Sequence, residues 1–215
     1  ELQLTAFGMN EIPSQHQRAD AIVDLLQGGG FRTTKVCTAV SGKSVIVRYL
    51  TMVKMSDDDL QNAIKFEADK YIPFEVDEVV LDCARLKDFG ETTNASGHKE
   101  MKVLLVAVKQ NLIDEHLQML QGIGLVPTVV DLDTFALGNA FELNLINSPR
   151  VEDEEKVIAL VDVGSIKTNI NILKNNTSYF SRDIYLAGND FTEAISRRLG
   201  VETVELKWGQ GAKCI

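Results

Sequence analysis

The chain has 215 residues, 45% hydrophobic and 25% charged, with 31 acids against 22 bases and a formal net charge of −9. That length gives one or two globular domains with a real core, and the acidity, without a basic run, argues against a nucleic-acid partner. Three scattered cysteines (Cys37, Cys83, Cys214) and three scattered histidines, with no CxxC, point to a reducing compartment and away from a disulfide or zinc framework.

Alternation at Leu2, Leu4 and Ala6 predicts a first strand in ELQLTAFGM. Ser14 caps a predicted helix from about Gln15 to Gln27, apolar at Ala19, Ile22, Val23, Leu25 and Leu26 and stopped by Gly28-Gly29-Gly30. A glycine triplet can cradle phosphate, but this one follows a helix instead of preceding one, so a helix stop is preferred. Lys35 to Val40 reads as a short buried strand and Ser44 to Met52 as a β-branched one. Ser56-Asp57-Asp58-Asp59 opens the next helix, with Ser56 as cap and the acids at the positive end of the dipole. Consecutive acids diverge on a helix, so this reading is preferred over metal binding. Leu60, Ala63, Ile64, Ala68 and Tyr71 form the apolar side, and the helix stops before Pro73.

Val79 to Leu86 and Met101 to Val108 read as two antiparallel strands, joined by KDFGETTNASGHKE as a mobile hairpin loop. Its Asn94-Ala95-Ser96 glycosylation pattern is idle in a reducing compartment. A helix from Asn111 to Gly122, a strand from Leu125 to Asp131 and a helix from about Thr134 to Asn144 come next. SPRVEDEEK, with Pro149, is the clearest linker. Strands Val157–Val163, Asn169–Leu173 and Thr177–Ile184 and a helix from about Ala187 to Leu199 complete an α/β chain in two unequal lobes. No apolar run reaches the roughly 18 residues that cross a bilayer, so no direct membrane insertion is expected. The chain starts at Glu1 and ends in WGQGAKCI, which reads as a piece of a longer protein.

The most informative stretch is VIALVDVGSIKTNINIL, two apolar strands interrupted by an acid, a glycine and two hydroxyls. Gly164 lets the backbone approach an anion, Ser165 and Thr168 add hydroxyls, and Asp162 can hold a metal-bound water. Lys167 either neutralises phosphate or is a solvated turn residue. An ordinary turn has the same composition, so a second element matters. About twenty residues later, Ile184-Tyr-Leu-Ala-Gly188-Asn-Asp190-Phe-Thr-Glu starts a helix after a strand. Elsewhere, Tyr71-Ile72-Pro73-Phe74 either closes a core or lines a groove for an extended peptide. Val45–Leu50 or the hairpin at Val79–Val108 supplies an edge for strand addition. Asp131 and Asp133, at a strand end, are the placed candidates for a general base, with no sugar-site pattern beside them.

The hairpin and the glycine–helix element together resemble the second phosphate hairpin and its succeeding strand–glycine–helix element in the actin and Hsp70 ATPase superfamily; YLAGNDFTEAI is similar to actin's own segment. AIKFEADKYIPF (Ala63 to Phe74) followed by VVLDCARL resembles the signature region of the PilM family, actin-like components of type IV pilus assembly. VCTAVSGKSVIVRYLTM and KVLLVAVKQNLIDEHLQMLQGIGLVPTVVDLDTFAL agree, so the resemblance covers nearly the whole chain. FtsA is the next relative and GspL a more distant one.

The resemblance implies an α/β, actin-like (RNase H-like) fold, incomplete here, with an inserted βαββ subdomain. Residues 1–43 and 132–148 would form the first-lobe core, 44–131 the inserted FtsA-like subdomain, 149–156 a linker and 157–215 part of the second lobe. It implies a cytoplasmic assembly component, peripheral to the inner membrane through its partners. Those partners are the N-terminal tail of a PilN-like inner-membrane protein and the pilus motor ATPases. In the full-length form it implies ATP and Mg between the lobes, on Asp162, Gly164, Ser165, Lys167, Thr168 and Gly188, with Asp162 reaching Mg through water. Catalysis is expected to be absent or weak. A first phosphate loop is expected before Glu1 and an adenosine-contacting segment after Ile215, and with one hairpin alone nucleotide affinity should fall severely. The alternatives are an FtsA-like cytoskeletal protein at the membrane, which ordinarily has an amphipathic anchor, and a kinase or ATPase of the same superfamily.

Overall fold

The computed structural model describes residues 14–86, 89–90, 92–147, 157–175 and 177–202. The strand expected at the start of the chain and the linker at 149–156 lie outside the described residues. The described chain divides into two compact units, one built from residues 14–31, 161–170 and 182–202, the other from 32–147, 157–160 and 171–181.

In the first unit, helix α1 (Gln15–Gly28) begins with a capping box: Ser14 Oγ accepts from the Gln17 amide and Gln17 Oε1 accepts from the Ser14 amide. It ends in the glycine triplet. The Gly29 and Phe31 amides return to Leu25 and Leu26 carbonyls, and Gly30 takes φ +67°, so the triplet is a helix stop.

The second unit starts with strand β1 (Lys35–Val40), which pairs in parallel with β6 (Val126–Leu132). Pro127 cannot donate to the ladder, and the register slips beside it: Val36 faces Pro127, but Cys37 faces Val129. The displaced Thr128 hydroxyl donates to the Val36 carbonyl at 3.2 Å. Between β1 and β6 the chain inserts an antiparallel sheet of order β2-β5-β3, from β2 (Val45–Val53), β3 (Val79–Arg85) and β5 (Lys99–Lys109). Helix α2 (Asp57–Glu67) packs on this sheet, giving a βαββ unit. Its first turn carries the three aspartates, and the Asp59 amide donates to Ser56 Oγ at 3.1 Å. Leu60, Ile64 and Ala68 meet Leu50, Cys83, Met101, Val103, Leu105 and Ala107 in one core. The alternate residues of β2, β3 and β5 form the opposite face.

The segment joining β3 to β5, expected as a mobile loop, is partly ordered pairing. β4 (Thr92–Thr93) pairs with Lys99 and Glu100 of β5. Asn94 explains it: its Oδ1 accepts from the Ser96 and His98 amides, each at 3.0 Å, closing a tight turn from its own side chain. Helices α3 (Gln110–Gly122) and α4 (Asp133–Asn147) flank β6.

Strands β7 (Val157–Val163), β8 (Thr168–Lys174) and β9 (Thr177–Ile184) form a three-stranded sheet in that order. Helix α5 (Gly188–Leu199) comes next and ends at Gly200 with φ +67°. Its Phe191, Ile195 and Leu199, spaced four apart, are exposed. No helix among the described residues is long and apolar enough to cross a membrane.

Candidate functional site

Two features of the described chain have the shape of a site: the hairpin between β7 and β8, and an apolar cleft beside the inserted sheet.

The hairpin is seated on the start of α5. The Gly188 and Asn189 amides donate to the Gly164 and Ser165 carbonyls, both at 2.9 Å. These are two of the orphan amides of the helix N-terminus, and the turn itself satisfies them. Close approach of backbone oxygens favours glycine at both positions. A Cβ on Gly188 would sit 3.2 Å from the Gly164 carbonyl oxygen. One on Gly164 would sit 3.0 Å from the Lys167 carbonyl oxygen, which already accepts the Gly164 amide. The Thr168 hydroxyl donates to the Leu186 carbonyl at 2.7 Å and is buried. Lys167 Nζ lies 2.8 Å from Asp183 Oδ2, with both side chains largely covered. Lys167 is thus not a solvated turn residue; its ammonium braces the hairpin from β9.

The six residues singled out in the sequence therefore stand together but divide by role. Gly164, Lys167, Thr168 and Gly188 hold the turn against the helix, whereas Asp162 and Ser165 are exposed. Among the described residues no group of three or more His, Cys, Asp or Glu side chains is arranged to hold a metal ion.

The cleft occupies about 390 Å³ in the second unit. One wall is the open face of the inserted sheet, where the register aligns rows: Val45, Val108 and Val80; then Val47, Val106 and Asp82; then Tyr49, Leu104 and Ala84. The facing wall is Val40, Val130, Leu132, Ile113 and Phe135, with Asp131 beside them. The free edge of β3 is partly masked: the Cys83 carbonyl accepts from Gln61 Nε2 at 3.1 Å, and the Cys83 amide donates to Asp82 Oδ1 at 2.8 Å. On the β2 edge, Arg48 reaches the Val47 carbonyl. This region offers a ligand side-chain pockets more than main-chain pairing.

Tyr71 to Phe74 does not line the cleft. Ile72 is buried in the α2 core with Tyr71 against it, and Phe74 lies under the Lys109 ammonium, 4.6 Å from the ring centroid. Tyr71 and Ile72 thus close the core, while Pro73 is exposed. Asp131 is held by the Leu132 amide and Asn139 Nδ2, and Asp133 accepts the Thr134 amide, so both act first as local caps. The cleft escapes a linear reading because its walls lie far apart in sequence. One signal is present: KVLLVAV in β5 is apolar on both faces, which a strand with one solvated face is not.

A parallel strand pair closed by a helical crossover, an inserted βαββ sheet and a glycine hairpin seated on a helix define an α/β protein of the actin-like ATPase class. Within that class, the chain belongs to the type IV pilus assembly protein PilM family, whose pattern it matches over residues 5–208.

Among solved structures, the chain is similar to one described as the PilM-PilN type IV pilus biogenesis complex, with 30% identity and a TM-score of 0.74 over 94% of this chain. It spans 57% of the length of that chain. The cytoplasmic domain of EpsL, an inner-membrane component of the type II secretion system of Vibrio cholerae, is a looser match. It shows 14% identity and a TM-score of 0.48, over 89% of this chain and 64% of that one. A Bacteroides thetaiotaomicron protein with an actin-like ATPase fold matches at 6% and 0.40, over 89% and 66%.

Proposed function

We propose that this chain is a docking component of the type IV pilus machine, taking an extended N-terminal tail of a PilN-type inner-membrane protein into the cleft between the inserted sheet and the β6–α4 wall. The observation that carries this reading is the cleft itself: an open apolar groove with side-chain pockets, in a chain 30% identical to part of a complex described as PilM-PilN. Attachment through such a partner would hold the protein in the cytoplasm at the inner membrane and put it within reach of the pilus motor ATPases. The expected domain division, with residues 44–131 as the inserted docking module, fits this role.

The hairpin would serve as one jaw of an ATP site in the full-length protein. Ser165 and the turn backbone would meet phosphate, Asp162 would meet Mg through water, and Lys167, Thr168 and Gly188 would keep the turn in place. ATP here would act as a structural ligand: among the described residues the candidate bases Asp131 and Asp133 are engaged as local caps.

Calorimetric titration of the full-length protein with the cognate tail peptide, with and without Mg-ATP, tests both parts. Saturable binding of the tail is expected, lost in Ala84→Trp, which fills the cleft from an exposed position. Absence of binding to the wild-type protein in both conditions would overturn the docking reading. Undiminished Mg-ATP binding by the double variant Asp162→Ala/Ser165→Ala would overturn the nucleotide jaw.

A further inference from the structure

We infer that the occupant of the cleft must present a lysine or arginine to Asp82, flanked by aliphatic side chains; this rests on the docking reading above. The cleft is lined by aliphatic and aromatic residues, one cysteine and two carboxylates, with no lysine or arginine among them. Asp82 stands in the middle row of the sheet wall, beside Val106 in the register, with Val80 and Ala84 on the same face two residues to either side. One of its oxygens accepts the Cys83 amide. No lysine, arginine or histidine among the described residues pairs with it. Asp131, on the facing wall, is held by an amide and an asparagine, again without a cation.

An apolar groove with uncompensated negative charge on both walls repels an acidic or purely polar segment. It favours one cation whose stem runs over the valines and whose head meets the carboxylate. Burying the sheet wall without that cation would desolvate Asp82 against Val47, Val80 and Val106, and the resulting cost excludes uncharged aliphatic tails. The bland account of Asp82 is that an acid on an edge strand discourages edge-to-edge pairing. The two accounts differ in what they predict for binding.

The test is fluorescence anisotropy of a C-terminally labelled cognate tail peptide on the full-length protein at 50 and 300 mM NaCl, with wild type, Asp82→Asn and a charge-matched control, Asp20→Asn on the exposed side of α1. The Asp82→Asn side chain keeps an oxygen that can accept the Cys83 amide, so the fold is retained. We expect Asp82→Asn to weaken binding about five- to tenfold at low salt and to flatten its salt dependence, with the control within twofold of wild type. A peptide with its basic residues replaced by norleucine should bind wild type weakly and Asp82→Asn more tightly than wild type, because the neutral amide costs less to desolvate than the carboxylate. Equal affinity and equal salt dependence in wild type and Asp82→Asn, with the unmodified peptide bound, would overturn this inference and leave docking standing. If the wild-type protein binds no peptide, the docking reading fails and this inference with it.

Discussion

Replacing Asn171 by leucine should destabilise the second unit by about 3 kcal/mol. Asn171 is 1% exposed on β8, and its amide is used at both ends. Nδ2 donates to the Thr134 carbonyl at 3.1 Å, and Oδ1 accepts from Ser178 Oγ at 2.6 Å. Ser178 Oγ in turn lies 2.7 Å from the Tyr49 hydroxyl of β2. Leucine keeps roughly the volume but removes both bonds, each worth about 1 kcal/mol net. It also leaves a buried carbonyl and a hydroxyl with one partner fewer, at about 1 kcal/mol more between them. Tyr49→Phe removes one bond and leaves Ser178 bonded to Asn171, so it should cost only about 1 kcal/mol. Urea unfolding followed by far-UV circular dichroism resolves the difference. With a slope of about 1–3 kcal/mol per molar, Asn171→Leu should shift the midpoint by about 1 M or more. If Asn171→Leu unfolds within about 0.5 kcal/mol of wild type, the network is incidental and the reasoning is wrong.

Other consequences can be measured with the same protein. Burial raises the Tyr49 hydroxyl above its ordinary 10.0, against the lowering effect of the Ser178 hydrogen bond, and burial with nearby Asp82 and Asp57 raises the Cys83 thiol above 9.0. The unfolded chain releases these protons first, so their contribution to stability should be constant below about pH 9 and be lost as pH climbs through 9 and then 10; no loss between about pH 9 and 11 would contradict it. Ile64→Ala, at a site 1% exposed beneath the inserted sheet, should cost about 2–5 kcal/mol in the same denaturant assay. Lys167→Met strands the partly covered Asp183 and should lower hairpin stability by about 1–2 kcal/mol, read as faster amide exchange across β8 and β9; unchanged exchange would make the ion pair ornamental. Gly164→Ala places a methyl 3.0 Å from a backbone oxygen that is also a hydrogen-bond acceptor. It should cost about 1–3 kcal/mol by thermal melting, and a melting point at or above wild type would refute the tight fit.

The local signals in the chain are strong where a segment's own chemistry decides its shape. Ser56 with three following aspartates starts α2, and Leu60, Ile64 and Ala68 recur at the helical period, so that helix and its buried face are legible. The strands Lys35–Val40, Val157–Val163 and Thr177–Ile184 stand where alternation and β-branching place them. The segment before β5 defeats a compositional reading because composition registers polarity, while Asn94 Oδ1 supplies the acceptor that closes a paired turn.

The candidate site is legible as a set of residues but not as a division of labour among them. Asp162, Gly164, Ser165, Lys167, Thr168 and Gly188 can be gathered from one short stretch and the helix start after it. Only the folded chain gives Lys167 to Asp183, Thr168 to the Leu186 carbonyl and the Gly188 amide to Gly164, leaving two exposed side chains outward. The cleft is beyond any local reading, because Asp82 and Asp131 become neighbours of one cavity through the crossover that returns β6 beside β1. Periodicity fixes which way a side chain points from its own backbone; which other backbone it then meets is settled by long-range pairing and packing, and that is information no window of sequence contains.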